Sequence, residues 1–222
     1  MEEVPMTERG VIFGADDVRR IQDGTKSMFR RAITPQPVPR YRSRQACAIA
    51  ESITQGVIDG QKAYDNLPDM VLTDPRHGGL IKQSFAPGDR IYVRETWYET
   101  ADDWVVYRAD GEMREVRHGQ FTGKHDAAII TSPCQWPWRS PATMPKWAAR
   151  IWLVVTAVRA EPLQNISIDD LIAEGFPATH SVDADASQAY EWFADTWDAN
   201  AKSGSTWDDN PWVWVTTAEK EA

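Results

Sequence analysis

Lys26, Arg30 and Arg31 stand close together in QDGTKSMFRRAITPQP, the stretch from Gln22 to Pro37. Three cations on a short segment, entered through Gly24 and left through a run of prolines, suit an anionic or polar ligand better than a merely solvated surface. A guanidinium presents a planar fork of donors that matches two phosphate oxygens. A lysine beside a carboxylate in a partly closed site can move a proton, and Glu174, in IAEGF, is the candidate carboxylate. Arg94 and Glu95 carry opposite charges at adjacent positions of PGDRIYVRETW, so a strand there sends them to opposite faces. One of the two then points inward, where a charge is rarely left unpaired. Tyr92 and Trp97 in the same stretch offer rings on which a base could stack.

Other chemistries find less support. His77, His118, His125 and His180 are scattered without metal-ligand spacing, and Cys47 and Cys134 form no CxxC pair. No metal and no cofactor is expected. HGG at His77–Gly79 has no GxSxG partner and is not read as part of a hydrolase site.

The elements that must position these residues follow from pattern. GVIFGADDVRRIQDGTK reads as a short strand and then a helix, with Asp16 as N-cap, Val18 and Ile21 on the apolar face and Gly24 as the stop. ITPQPVPR is an extended connector, since proline cannot continue a helix. Residues 43–64 have helical spacing at Cys47, Ile49, Ile53, Val57 and Ile58, so 40–86 is read as a partly helical insertion. PGDRIYVRETW is a turn and a strand, and DDWVVYRADGE a strand ending in a hairpin signal at Asp110-Gly111. The stretch from His118 to Arg150 is turn-rich and reads mostly as loop. RIWLVVTAVRAEPL is apolar on both faces, hence a central strand. SIDDLIAEGF is a short helix capped by Ser167, SQAYEWFADTWDAN an amphipathic helix, and NPWVWVTTAE a closing strand.

Bulk properties set the limits. The chain has 222 residues, enough for one domain with its own core. Its 11 Trp are far above common usage and are read mostly as core. A net charge of -9 argues against coating duplex DNA by bulk electrostatics. The charge is uneven, however. Arg19, Arg20, Lys26, Arg30, Arg31, Arg40, Arg42 and Arg44 fall in one early stretch with only Asp23, while the chain beyond Glu161 is acidic. That asymmetry permits an anion site on one face. No signal peptide or membrane-length apolar run is visible, so a cytoplasmic location is expected.

Taken in order, DGTKSMFRR…PQP, PGDRIYVRETW, MPKWAARIWLVVTAVRAEPLQNISIDDLIAEGF and a final NPWVWV resemble the ASCH-domain family, in particular its phage and prophage branch. The resemblance covers most of the chain apart from 40–86 and parts of 112–132. It implies a mainly β, PUA-like small barrel with flanking helices, forming one domain over 1–222, and a cleft on the barrel side. It implies ligands drawn from RNA, nucleotides and modified nucleosides. One branch of the family is an amidohydrolase that removes the acetyl group of N(4)-acetylcytidine with a lysine, a threonine three residues later and a glutamate. Here the lysine matches Lys26 and the glutamate matches Glu174, but the threonine position is Phe29. A phenyl ring cannot be the nucleophile that a hydroxyl can be. Ser27 supplies a hydroxyl two residues away.

The leading expectation is therefore a binding module whose site draws on Lys26, Ser27, Phe29, Arg30, Arg31, Tyr92, Arg94, Glu95, Trp97 and Glu174. The alternative is a hydrolase of a modified nucleoside or of RNA, with Lys26 and Glu174 as catalytic groups. A third class is a phage accessory protein that binds a host protein, which would place it in the bacterial cytoplasm.

Overall fold

A computed structural model describes residues 7–41, 70–100, 104–117, 120–125, 137–177 and 186–221. Eleven strands are present among them: β1 Glu8–Ile12, β2 Met28–Ala32, β3 Val38–Tyr41, β4 Met70–Thr73, β5 Arg90–Arg94, β6 Trp97–Glu99, β7 Trp104–Tyr107, β8 Met113–Arg117, β9 Gln120–His125, β10 Trp152–Pro162 and β11 Trp212–Lys220. The α-helices among them are α1 Ala15–Asp23, α2 Ile168–Ala173 and α3 Ala186–Asp198. The class is mainly β with a few helices, and no sheet closes into a barrel among the described residues. The helical expectation for residues 43–64 lies outside them.

The chain divides into two compact units, each assembled from separate segments. The first comprises Met1–Ser27, Pro87–Thr156 and Ala218–Ala222, and the second Met28–Ala86 and Ala157–Thr217. β10 and β11 each give residues to both.

In the first unit, β1 runs parallel to β5, and β5 runs antiparallel to the start of β10, with Tyr92 opposite Trp152. Strand alternation sends Ile91, Val93, Leu153 and Val155 into the core, leaving Tyr92, Arg94 and Trp152 on the other, half-buried face. Gly10 lies opposite Tyr92, and a Cβ there would come within 2.6 Å of two Tyr92 ring carbons and 2.5 Å of Arg94 Cδ. Glycine is what lets both side chains lie down on β1.

α1 ends at Gly24 in the left-handed region, φ 82°, as the sequence indicates. Its start is one correction: Gly14 is the N-cap, without a side-chain bond, and Asp16 lies inside the first turn, where its charge favours the helix N-terminus. β6, β7, β8 and β9 form a four-stranded antiparallel sheet. The β7–β8 hairpin turns at Asp110-Gly111, with Asp110 Oδ1 accepting from Glu112 N at 2.9 Å. β9 is a second correction, because Gln120–His125 lies in the stretch read as mostly loop. Beneath this sheet Trp97, Val105, Tyr107, Met144, Ala148 and Ala149 form one cluster.

In the second unit β11 pairs antiparallel with β2, setting Thr216 opposite Phe29, Val215 opposite Arg30 and Trp214 opposite Arg31. One face of this pair, with Met28, Val213 and Val215, packs against Leu171 of α2 and Ala189 and Phe193 of α3. On the other side of the strands Ile33, Leu72 and Trp214 form a smaller cluster. β3 and β4 make a separate antiparallel pair. α2 begins at Ser167, whose hydroxyl accepts from Asp170 N at 3.2 Å. No helix among the described residues is long and apolar enough to cross a membrane.

Candidate functional site

The residues singled out by sequence divide between the units. Lys26, Ser27, Tyr92, Arg94, Glu95 and Trp97 belong to the first, and Phe29, Arg30, Arg31 and Glu174 to the second.

The second unit brings Arg30 and Glu174 into direct contact. β2 directs Arg30 toward the helices, where it is 4% exposed. Its Nη1 donates to Glu174 Oε1 at 3.0 Å, and its Nη2 donates to Glu161 Oε1 at 2.8 Å and to Asp170 Oδ2 at 2.6 Å. The three acids come from the end of β10, from α2 and from the residue that caps α2. Arg159, at the rim, donates through Nε to Glu161 Oε2 at 3.0 Å and through Nη2 to Asp170 Oδ2. The Phe193 ring lies 5.9 Å from the Arg30 guanidinium carbon. Burial pulls the Arg30 pKa down, but Glu174, Glu161 and Asp170 more than offset it and the net direction is upward. Arg30 is thus held charged, with both terminal nitrogens on carboxylates.

The neighbours of Arg30 meet different surroundings. Phe29 is 5% exposed and packs edge-on against Phe85 with ring centroids 6.4 Å apart. Arg31 is exposed, and its guanidinium carbon lies 5.8 Å over the Phe29 ring.

In the first unit Lys26 follows the α1 stop, its backbone N donating to Arg20 O at 3.0 Å. Its ammonium lies 3.5 Å from Asp17 Oδ1, and its side chain is largely buried. Ser27 is tied through its carbonyl, which accepts from Ala218 N. Of the Arg94–Glu95 pair it is Glu95 that goes inside, and its partner is Arg150. Arg150 Nε and Nη2 each donate to a Glu95 oxygen at 2.9 Å, and Nη1 donates to Asp110 Oδ2 at 2.7 Å and Glu112 Oε2 at 3.0 Å. The Tyr107 ring lies 4.2 Å from that guanidinium, and Arg114 Nε donates to Glu112 Oε1 at 2.6 Å. Burial pushes the Glu95 carboxyl up despite its arginine, and burial likewise pushes the Tyr107 phenol up. Asp110 is raised by burial but lowered more by Arg150 and by the Glu112 N–H, so it ends below the usual carboxylate range.

Each unit therefore contains one buried arginine gripped by three carboxylates, with a second arginine at the rim and an aromatic ring against the buried guanidinium. Neither group resembles an open catalytic carboxylate. Protonating a carboxylate that holds a buried guanidinium weakens the ion pair, so such a group is a poor general base.

The aromatic residues separate in the same way. Trp97 is 2% exposed, with Trp147 edge-on at 6.2 Å and the Arg139 guanidinium 5.0 Å over its ring. It packs as core, and no base reaches its face without displacing these neighbours. Tyr92 is half-buried and tilted against Trp152 at 5.7 Å, with Arg90 4.5 Å over the Trp152 ring. Arg94 donates to Ala142 O.

Sequence reasoning missed Arg150, Asp110 and Glu112 in one unit and Arg159, Glu161 and Asp170 in the other. Only alternation in VRAEP, which sets Arg159 and Glu161 on one face of β10, gives any local signal. No group of three or more His, Cys, Asp and Glu residues among the described ones could hold a metal ion.

No protein-family model matches this chain, and neither a curated protein nor a solved structure matches it.

Proposed function

We propose that this protein is a PUA-like binding module of the ASCH type that takes RNA, a nucleotide or a modified nucleoside and leaves it chemically unchanged. The gathering of Lys26, Arg30 and Arg31 in one short stretch of sequence motivates a ligand with negative or strongly polar groups, and Arg31 is the exposed one of the three. The observation that favours binding over hydrolysis is Phe29. Its ring is buried against Phe85 where the resembled enzymes carry a hydroxyl, so the position is committed to packing. Glu174 adds to this, because its carboxylate already holds the Arg30 guanidinium.

Equilibrium dialysis of the full chain against nucleosides including N(4)-acetylcytidine, nucleoside monophosphates and an oligoribonucleotide, followed by chromatography of the bound fraction, tests this reading. The expected result is retention of at least one class, recovered intact after hours. Deacetylated or cleaved product that disappears in Glu174→Gln would replace the reading with a hydrolase. Retention of none would remove it.

A further inference from the structure

We infer that the ligand is a nucleoside phosphate seated on the first unit, with its phosphate on Arg94 and its base against the Tyr92 ring. This rests on the binding function proposed above and narrows it to phosphorylated ligands on one surface.

Arg150 is held by three carboxylates, Arg90 by Glu8 and Glu221, and Lys26 lies beside Asp17. Arg94 stands apart from these cations of the same unit. It is half-buried, yet among the described residues no carboxylate pairs with it. Its Nη2 donates to Ala142 O, and its Nε is buried without a hydrogen-bond partner. A guanidinium has five N–H donors, so most of the bonding capacity of Arg94 is unmatched. A charge that has lost part of its water and gained no counter-charge favours an anion. The bond to Ala142 O steadies the fork, and an oxyanion takes the donors that remain.

The aromatic part lies beside it. Strand alternation puts Arg90, Tyr92 and Arg94 on one face of β5, with Gly10 of β1 and Trp152 of β10 opposite Tyr92 on either side. A single point above Gly10 lies 2.6 Å from the Tyr92 ring and 2.5 Å from Arg94 Cδ, so the ring and the arginine stem are neighbours. Trp152 braces the Tyr92 ring at 5.7 Å. Trp152 is itself covered by Arg90 at 4.5 Å and Lys146 at 5.5 Å, and both of these cations are neutralised by Glu8. Tyr92 is therefore the ring beside the uncompensated cation. A nucleotide joins its base and its phosphate through one ribose, so an aromatic ring and a guanidinium side by side engage both ends. Every base has a π-face, so this surface selects nucleotides as a class rather than one base.

The shared chemistry is a phosphate carried on a nucleoside, whether as the monoester of a free nucleotide or a diester within RNA. The test uses the full chain and its Arg94→Ala, Arg94→Lys and Tyr92→Leu variants, each with a melting curve. Affinities are measured for the four common ribonucleosides, their 5′-monophosphates and a mixed-sequence oligoribonucleotide. Wild type is expected to prefer the monophosphates, the oligoribonucleotide or both over the nucleosides by about tenfold or more. Arg94→Ala should weaken the phosphorylated ligands by about 10- to 100-fold and leave the nucleosides unchanged, as expected for loss of a hydrogen bond to a charged group. Arg94→Lys keeps the charge and stem and loses the fork, so it should fall between them, and it carries the test if Arg94→Ala fails to fold. Tyr92→Leu keeps apolar bulk and loses the ring, and should weaken nucleosides and phosphorylated ligands alike by about fivefold or more. Tight monophosphate binding identifies the monoester as the source. Tight oligoribonucleotide binding with weak monophosphate binding identifies the diester.

Equal wild-type affinity for nucleosides, monophosphates and the oligoribonucleotide would overturn the inference and leave the binding function standing. A phosphate preference that survives undiminished in Arg94→Ala or Arg94→Lys would overturn the assignment to Arg94. Undiminished binding by Tyr92→Leu would overturn Tyr92 as the stacking ring. Failure of wild type to bind any of the three classes would overturn both this inference and the function on which it rests.

Discussion

Replacing Arg150 by methionine isolates one buried charge and makes its cost measurable. The Arg150 side chain is fully buried, so its removal leaves three carboxylates facing a space of similar volume. They are not equally stranded. Asp110 retains 28% side-chain exposure and can turn to water, and Glu112 keeps Arg114 at 2.6 Å. Glu95 is 1% exposed and loses both of its guanidinium bonds. The expected loss is therefore that of about one orphaned buried charge, about 3–5 kcal/mol. That is a large share of the roughly 5–15 kcal/mol by which a native protein is stable. The pH dependence carries a definite sign. Burial already raises the Glu95 pKa in the folded protein, and without Arg150 the shift grows in the same direction. A carboxyl whose folded pKa lies above its unfolded value favours folding in its protonated form. Its contribution is complete below the unfolded pKa and is lost as pH rises through the folded one. Urea unfolding of Arg150→Met followed by tryptophan fluorescence should show the full deficit near pH 7 and a smaller one near pH 5. Adding Glu95→Gln to that variant should recover part of the loss and flatten its pH dependence. A deficit below about 1 kcal/mol, or one that is the same at both pH values, would refute the assignment of Glu95 as the buried charge that Arg150 compensates.

Two further outcomes follow from packing. Gly10→Ala forces a methyl into the Tyr92 ring and the Arg94 stem, and should lower the urea midpoint by the equivalent of about 1–3 kcal/mol, while an unchanged midpoint would count against that close approach. Phe29→Thr places a hydroxyl at this position but removes a buried ring, so it should cost about 3–5 kcal/mol by the same melts. It should still fail to release acetate from N(4)-acetylcytidine, because Glu174 stays on Arg30, and product on a chromatogram would show that the hydroxyl alone was missing.

Local structure was legible wherever the signal was local. Gly24 ends α1, Ser167 caps α2, Asp110-Gly111 turns the β7–β8 hairpin, and the two-sided apolar run became β10. Each rests on neighbours a few residues apart. The charged groups were not legible because their partners are remote. Arg30 meets Glu161, Asp170 and Glu174 across 131, 140 and 144 residues, and Arg150 meets Glu95 across 55. No periodicity encodes such pairings. Alternation requires that Arg30 and Arg31 part company, and that one of Arg94 and Glu95 turn inward, but it does not say which. That choice depends on which face of the strand finds compensating charge. Gln120–His125 was missed for a related reason: its QFTGKH has little apolar content and a central glycine, and pairing with β8 makes it a strand where propensity alone does not.

The threading of β10 and β11 through both units bears on how the protein is made. The first unit needs Ala218–Ala222, where Ala218 N reaches back to Ser27 O and Glu221 N to Trp152 O. The second needs the β11 residues up to Thr217 that pair with β2. Neither is finished until β11 has left the ribosome. An order in which the first unit folds before the second has been translated is closed, because segments of the first lie on both sides of the second in the sequence. Until β11 emerges β2 lacks this partner, and one strand completes both units.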